Sequence, residues 1–197
     1  MCGIVGYVGK TRVVDTLLEA LSRLEYRGYD SAGVAVLNSK GIEVRKRAGK
    51  LKALAEAVRA HPITGHIGVG HTRWATHGEP TERNAHPHTD CTGKLAVVHN
   101  GIIENYAQLK DRLLAKGHRF HSQTDTEVIV HLVEDFARHH PIDKAFRLAL
   151  KELKGSYAIC LLAEQEPRRL FGARNGSPLI VGVGKGEAFF ASDVPAI

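Results

Sequence analysis

Two rhythms of apolar residues run along this chain, one suited to strands and one to helices. Residues 2–8 are short, apolar and broken by glycine, which predicts a buried first strand. Val13, Val14, Leu17, Leu18, Leu21 and Leu24 then recur at three- and four-residue spacing, predicting a helix over about 12–25 with one apolar face. The segment Arg27-Gly28-Tyr29-Asp30-Ser31-Ala32-Gly33 is rich in turn formers. Strands at 34–37 and 42–47 follow, joined by a turn at Asn38-Ser39-Lys40-Gly41. A short helix near 51–60 and a strand near 67–72 come next.

From Ala75 to Gly93 the rhythm disappears. Histidines, prolines, threonines and Asn84 fill a long irregular stretch, of the kind that is usually functional or disordered. A compact strand, Leu95 to Val98, ends at His99-Asn100-Gly101. Helices are predicted near 103–116, 125–139 and 143–153, then strands at 156–163, 168–173, 179–183 and 187–191. Neither an internal repeat nor a low-complexity linker is present. Strands come in runs with helices grouped between them, which predicts an α+β layered fold over a doubly wound parallel sheet.

Composition narrows the picture. A length of 197 residues suits one domain, and a 43% hydrophobic content is enough for a sizeable core. No segment approaches the ~18 consecutive apolar residues of a membrane span. The N-terminus has no basic residue before its apolar stretch, so it is a poor signal peptide. Cys2, Cys91 and Cys160 make no evident disulfide framework, which fits a reducing, cytoplasmic setting. The net charge of +6 raises the question of nucleic acid, but basic residues are scattered and aromatics are only 6%. The charge reads as a solvated surface. The apolar finish, Phe189-Phe190-Ala191-Ser192-Asp193-Val194-Pro195-Ala196-Ile197, predicts a larger parent protein cut at this point.

Chemistry concentrates in a few places. A cysteine at position two is followed by glycine, a pairing that lets the initiator Met1 be trimmed. Cys2 would then hold a thiol of pKa ~8.5 and an α-amine of pKa ~7.7–8.0, nucleophile and base on one residue. The competing reading is a small buried hydrophobe in an edge strand. Arg73, within His71-Thr72-Arg73-Trp74-Ala75-Thr76-His77-Gly78, offers a planar fork that matches a carboxylate, or else a surface salt bridge. Asn100 and Gly101 pair a side-chain amide with a flexible backbone N–H, either an oxyanion hole or a hairpin turn. Helix-like sequence follows them where a hairpin would need a strand, which weakens the turn.

Thr124-Asp125-Thr126-Glu127 reads as a capping box, with Thr124 as N-cap and Glu127 at the third helical position. That leaves the Asp125 carboxylate able to reach a ligand's ammonium group. His86-Pro87-His88, with Cys91 nearby, raises a zinc site, but a paired Cys-x-x-Cys is missing and metal is disfavoured. Gly182-Val183-Gly184-Lys185-Gly186 resembles a phosphate loop in composition only. No helix follows it, so a hairpin turn is the better reading.

Taken together, these residues resemble the class II glutamine amidotransferases, and within them the glutaminase domains of the sugar branch, the glucosamine-6-phosphate synthases. The resemblance covers essentially the whole chain. It is carried by Met1-Cys2-Gly3-Ile4-Val5-Gly6, by Leu24-Glu25-Tyr26-Arg27-Gly28-Tyr29-Asp30-Ser31-Ala32-Gly33, and by His71 through Pro80. Asn84-Ala85-His86-Pro87-His88, residues Val97 through Asn105, Thr124-Asp125-Thr126-Glu127 and Gly176-Ser177-Pro178-Leu179 complete the set.

That resemblance implies a four-layer αββα N-terminal-nucleophile hydrolase fold, with two antiparallel sheets between helix layers. It implies Cys2 as nucleophile and its amine as base, with Asn100 and Gly101 as oxyanion hole. Arg73 would hold the glutamine carboxylate and Asp125 its ammonium. Thr76, His77 and His86 would line the pocket, Trp74 would sit on a loop covering glutamine, and Arg27 would be a site neighbour. No cofactor or metal is implied. The partners implied are L-glutamine and, only in a longer enzyme, a sugar-phosphate acceptor, with room for a homodimer through the missing domain. Neither nucleic acid nor membrane is implied. The competing readings are the glutaminase of another class II amidotransferase, such as the phosphoribosyl pyrophosphate enzyme, and a non-catalytic binding module.

Overall fold

The computed structural model describes residues 2–10, 12–75 and 78–197. The first sheet has six strands: β1 (Gly3–Val8), β2 (Ser31–Asn38), β3 (Gly41–Ala48), β4 (Ile67–Arg73), β9 (Ile180–Gly184) and β10 (Glu187–Ala191). Their spatial order is β3-β2-β4-β1-β10-β9. The second sheet, in the order β5-β6-β7-β8, comprises β5 (His88–Thr89), β6 (Leu95–Ile103), β7 (Gly155–Ala163) and β8 (Leu170–Asn175). Every pairing in both sheets is antiparallel. Helices α1 (Val13–Ser22) and α2 (Leu51–Ala60) pack on the first sheet; α3 (Tyr106–Ala115), α4 (Glu127–Ala137) and α5 (Ile142–Glu152) pack on the second.

The strand alternation explains the layering, because successive side chains point to opposite faces. On β6, Leu95 and Val97 face the helices while Ala96 and Val98 face the other sheet. On β7, Ile159 and Leu161 face the helices, and Ala158, Cys160 and Leu162 fill the space between sheets. On β2, Val34 and Val36 lie under α1 and α2, and Ala35 and Leu37 lie against the second sheet. Both sheets are therefore covered on both faces, and the fold is the four-layer αββα arrangement. Truncating one of the buried aliphatic residues, such as Leu54 or Ile159, costs about 2–5 kcal/mol by loss of burial and the cavity left behind.

Helix faces follow the predicted spacing. Leu51, Leu54, Ala57 and Val58 are the buried positions of α2, and Ile142, Ala145, Phe146 and Ala149 those of α5. The first helix is shorter than its apolar series. It stops at Ser22, a 3-10 turn covers Glu25–Arg27, and Leu24 is fully buried without being helical. The Asn38–Gly41 and Gly184–Glu187 connections are hairpin turns, as their composition predicts. The two-residue strand β5, inside the irregular stretch, has no period long enough to be seen in sequence.

Two local readings are corrected. The strand beginning at Leu95 does not end at His99. It runs to Ile103, with Asn100 opposite Ala158 and Gly101 opposite Tyr157, so these residues are neither a strand end nor a hairpin. Pairing along the whole length of β7 outweighs the local turn preference of Asn-Gly. The capping box is also absent, since α4 starts at Glu127 with no side-chain cap. The Glu127 carboxylate instead turns back to accept the N–H groups of His121 and Ser122, at 2.7 and 2.6 Å, and the Ser122 hydroxyl at 2.6 Å. Thr124 is occupied by His88 Nε2, at 3.0 Å.

Candidate active site

A cavity of about 280 Å³ opens where the first sheet meets the end of β6 and the segment leading into α4. Its wall includes Cys2, Arg27, Arg73, Trp74, His86, Asn100, Gly101 and Asp125. These come from elements that are remote in sequence. Cys2 precedes β1, and Arg73 ends β4, the neighbour of β1, with Gly3 opposite Thr72. Antiparallel pairing thus sets Cys2 beside Trp74. The Trp74 N–H donates to Cys2 Sγ at 3.2 Å, and the thiol faces the Trp74 carbonyl at 3.6 Å. Burial pushes the Cys2 thiol above its ordinary pKa, against the Trp74 N–H and the Arg73 charge, which pull it down. Burial thus favours the thiol over the thiolate at Cys2.

Asn100 reaches across from the second sheet. Its Nδ2 donates to the Cys2 carbonyl at 3.0 Å, and its Oδ1 lies 2.9 Å from His71 Nε2. That ring nitrogen is also 3.1 Å from the His99 carbonyl. Both partners are acceptors, so Nε2 carries the proton, and this donor fixes which end of the Asn100 amide faces Cys2. Burial holds His71 neutral, with a pKa lowered to about 3. His71 is a positioning residue that sequence reasoning quoted within a motif but assigned no role. Gly101 has φ +123°, and a Cβ there would overlap the Ser156 carbonyl oxygen, so glycine is required for the strand to pass.

Arg73 is 4% exposed and donates to the carbonyls of Gly78 and Glu79 at 3.2 and 3.3 Å. Burial lowers its pKa, opposed by Asp30, Cys2 and Asp125. Asp125 is anchored by the Ile103 N–H, which donates to Oδ2 at 2.7 Å. A positive and a negative side chain thus share the cavity wall with the thiol.

Asp30 is a second residue with no role assigned from sequence. Its Oδ2 accepts the Ala75 N–H at 2.6 Å, and its backbone N–H donates to the Arg73 carbonyl at 2.8 Å, holding the Arg73–Ala75 segment against the turn. Arg27 donates to the Ser192 hydroxyl and carbonyl, at 3.1 and 3.3 Å, and borders the cavity from the C-terminal side. His86 stacks on His71 with ring centroids 4.1 Å apart. Trp74 is 54% exposed at the rim. Thr76 and His77 lie outside the described residues. His86, His88 and Cys91 do not converge on one point as a zinc site would need; His86 faces His71, His88 faces Thr124, and Cys91 sits with His118 and His131.

Comparison with known proteins adds an independent observation. Residues 71–197 match the model of the glutamine amidotransferase domain. The chain belongs to that family. Over all 197 residues it is 55% identical to a glutamine--fructose-6-phosphate aminotransferase [isomerizing] of Pyrococcus horikoshii, of which it covers 33%. It is 57% identical to the protein of the same name from Thermus thermophilus, of which it covers 32%. The chain therefore spans about a third of the length of these relatives. Among solved structures, the glutamine phosphoribosylpyrophosphate amidotransferase of B. subtilis superposes with a TM-score of 0.86 at 27% identity, over 99% of this chain and 42% of that one. No helix among the described residues is long and apolar enough to cross a membrane.

Proposed function

We propose that this amidotransferase domain hydrolyses the side-chain amide of L-glutamine to glutamate and ammonia, with Cys2 as nucleophile. The observation that carries the proposal is the meeting of the Cys2 thiol and the Asn100 amide on one cavity wall that also presents Arg73 and Asp125. An arginine and an aspartate flanking a thiol match the two charged ends of a free amino acid.

In this mechanism loss of Met1 frees the Cys2 amine, which takes the proton of the neutral thiol. Sulfur attacks the amide carbon, and charge gathers on the amide oxygen beside Asn100 and Gly101, the proposed oxyanion hole. The ammonium proton passes to the departing nitrogen, ammonia leaves, and a glutamyl thioester remains. Water, deprotonated by the same amine, opens the thioester and returns glutamate and the thiol. Arg73 holds the substrate carboxylate and Asp125 its ammonium. His86 and Trp74 complete the pocket, and Arg27 supports it from the side.

The relatives' names extend the proposal: in a longer parent, ammonia from this domain would aminate fructose-6-phosphate to glucosamine-6-phosphate in a sugar-isomerase portion, through which two copies would also pair. At 50–57% identity over the full chain, the sugar enzymes are much nearer than the phosphoribosyl pyrophosphate enzyme at 27%. On its own the domain would release ammonia to solvent. Three free cysteines suit a reducing cytoplasm.

The test couples intact mass with glutamate and ammonia release. Active protein is expected to lack Met1 and to be labelled once, at Cys2, by an electrophilic glutamine analogue. Full activity with Met1 wholly retained would sink the role of the amine.

A further inference from the structure

At the end of the second sheet away from the glutamine pocket, four side chains with metal-binding atoms converge. They come from three separate segments: Cys91 from the loop between β5 and β6, His118 from just beyond α3, and His131 and Glu134 from α4. The last two are three residues apart and so share a helix face. One ligand atom from each residue falls within 4.8 Å of all the others. Cys91 Sγ is 3.9 Å from His118 Nδ1 and 3.7 Å from His131 Nδ1. Glu134 Oε2 is 2.8 Å from His118 Nδ1 and 3.0 Å from His131 Nδ1.

We propose that Cys91, His118, His131 and Glu134 form a structural zinc site. With Zn–S of ~2.3 Å and Zn–N and Zn–O of ~2.0–2.1 Å, a tetrahedron separates sulfur from nitrogen by roughly 3.5 Å and nitrogen from oxygen by roughly 3.3 Å. The S–N separations of 3.9 and 3.7 Å and the N–O separations of 2.8 and 3.0 Å each lie within about half an ångström of these values. Thiolate, two imidazoles and a carboxylate suit Zn²⁺ in softness, and the two anionic ligands cancel its charge. Four protein ligands leave no open position, so the site is structural rather than catalytic.

The surroundings supply a second, independent observation. Both imidazoles are fully buried, and their outer nitrogens, His118 Nε2 and His131 Nε2, have no hydrogen-bond partner. Each nonetheless faces a carboxylate at 3.6 Å, Asp135 Oδ1 and Glu127 Oε1 respectively. Metal on the two Nδ1 atoms places a proton on each Nε2, directed at those carboxylates, the usual outer partner of a zinc-bound histidine. The Arg119 N–H, 3.3 Å from Cys91 Sγ, is placed to support a thiolate. Zinc uptake displaces the thiol proton, which leaves to solvent past the exposed Cys91. The bound ion ties two loops to α4.

The test strips the full chain with a chelator and titrates it with zinc chloride, following bound metal by elemental analysis and stability by thermal melting. One equivalent of zinc and a melting temperature higher by on the order of 5–15 °C are expected at saturation. Cobalt is expected to give a thiolate-to-metal charge-transfer band that Cys91→Ser abolishes. Cys91→Ser and Glu134→Gln should each weaken zinc binding by at least the ~10–100-fold that loss of a ligand's outer partner costs, and Cys91, at the surface, tolerates serine without unfolding. Cys2→Ala should keep the equivalent of zinc, which separates this site from the nucleophile. Failure of folded wild-type protein to take up zinc, uptake without any change in melting, or undiminished uptake by Cys91→Ser would overturn the proposal. So would loss of uptake in Cys2→Ala.

Discussion

Two groups of polar residues sit at opposite ends of β6 and α4, and they are built on different principles. At one end Asn100, Gly101 and Asp125 join Cys2 and Arg73 around a cavity. At the other, beyond the start of β6 and two turns along α4, Cys91, His118, His131 and Glu134 each bring a ligand atom within 4.8 Å of the other three. The first group holds charges apart around a space, the arrangement of a site that awaits a ligand with its own charges. The second brings donors onto a single point, the arrangement of a staple. Polar burial costs free energy either way unless partners are supplied. The difference lies in whether the partner is a transient substrate or a permanent part of the fold.

The sharpest break between the two ends is expected from Cys2→Ala. Loss of the nucleophile should lower kcat on the order of 10⁶-fold, as for other nucleophile deletions, and leave the melting temperature in place. Glutamine hydrolysis measured beside a thermal melt checks both. Residual hydrolysis within tenfold of wild type would move the chemistry away from Cys2.

Asn100→Ala tests the next largest effect. Removal of one oxyanion donor typically costs about 10²–10³ in kcat with little change in KM. Because Asn100 also accepts from His71, a modest fall in melting temperature is expected as well. A variant that only melts earlier, with near-native kcat, would make Asn100 a purely structural bridge between sheets.

Arg73→Ala and Asp125→Ala should each raise the glutamine KM by roughly 10–150-fold, the worth of a charge-assisted hydrogen bond of about 1.5–3 kcal/mol. Asp125 also holds the Ile103 N–H and Arg73 the Gly78 and Glu79 carbonyls, so each KM is read beside a thermal melt. Unchanged KM in both folded variants would remove the amino-acid reading of the cavity.

The smallest effect per residue concerns acid. Burial holds His71 at about 3 and His99 at about 4, and lowers His86 and His88 in the same direction. The unfolded chain takes up these protons near pH 6.5, whereas the folded chain refuses them. Stability is therefore complete above about pH 6.5 and falls as pH drops toward the folded values, by about 1.4 kcal/mol per unit for each histidine. Glu127 behaves differently. Burial would raise its carboxyl, but His131, Ser122 and two backbone N–H groups together hold it down at about 2, so its contribution fades only below the ordinary value of 4.5. Urea midpoints of Cys91→Ser protein, in which the zinc site is disabled, separate the two windows. A midpoint constant between about pH 7.5 and about pH 5 would exclude the histidine effect.

Legibility differed between these regions for a physical reason. The cavity residues stand in short local motifs, so Cys2-Gly3, Arg73-Trp74, Asn100-Gly101 and Thr124-Asp125 all attract notice one by one. His71 and Asp30 passed without a role because their work is to orient neighbours, which no spacing along the chain reveals. Zinc was raised and disfavoured at His86, His88 and Cys91, which are close in sequence, whereas the proposed site joins Cys91 to His118, His131 and Glu134. Only His131 and Glu134, three apart on a helix, left a local trace of the cluster that the fold assembles.

By itself the sequence determined the element order apart from β5, the two hairpin turns, the apolar faces of α2 and α5, and a candidate set of residues for amide chemistry. These depend on period, turn chemistry and side-chain type, all of which act over a few residues. The tertiary structure alone decided that β6 runs through Asn100-Gly101, because its ladder with β7 continues to Ile103. It alone turned Glu127 away from a helix cap and toward the His121–Ser122 backbone. It alone brought Cys91 to His118 and His131, because loops are placed by the sheets and helices they join, and contacts between distant segments leave no period in the chain.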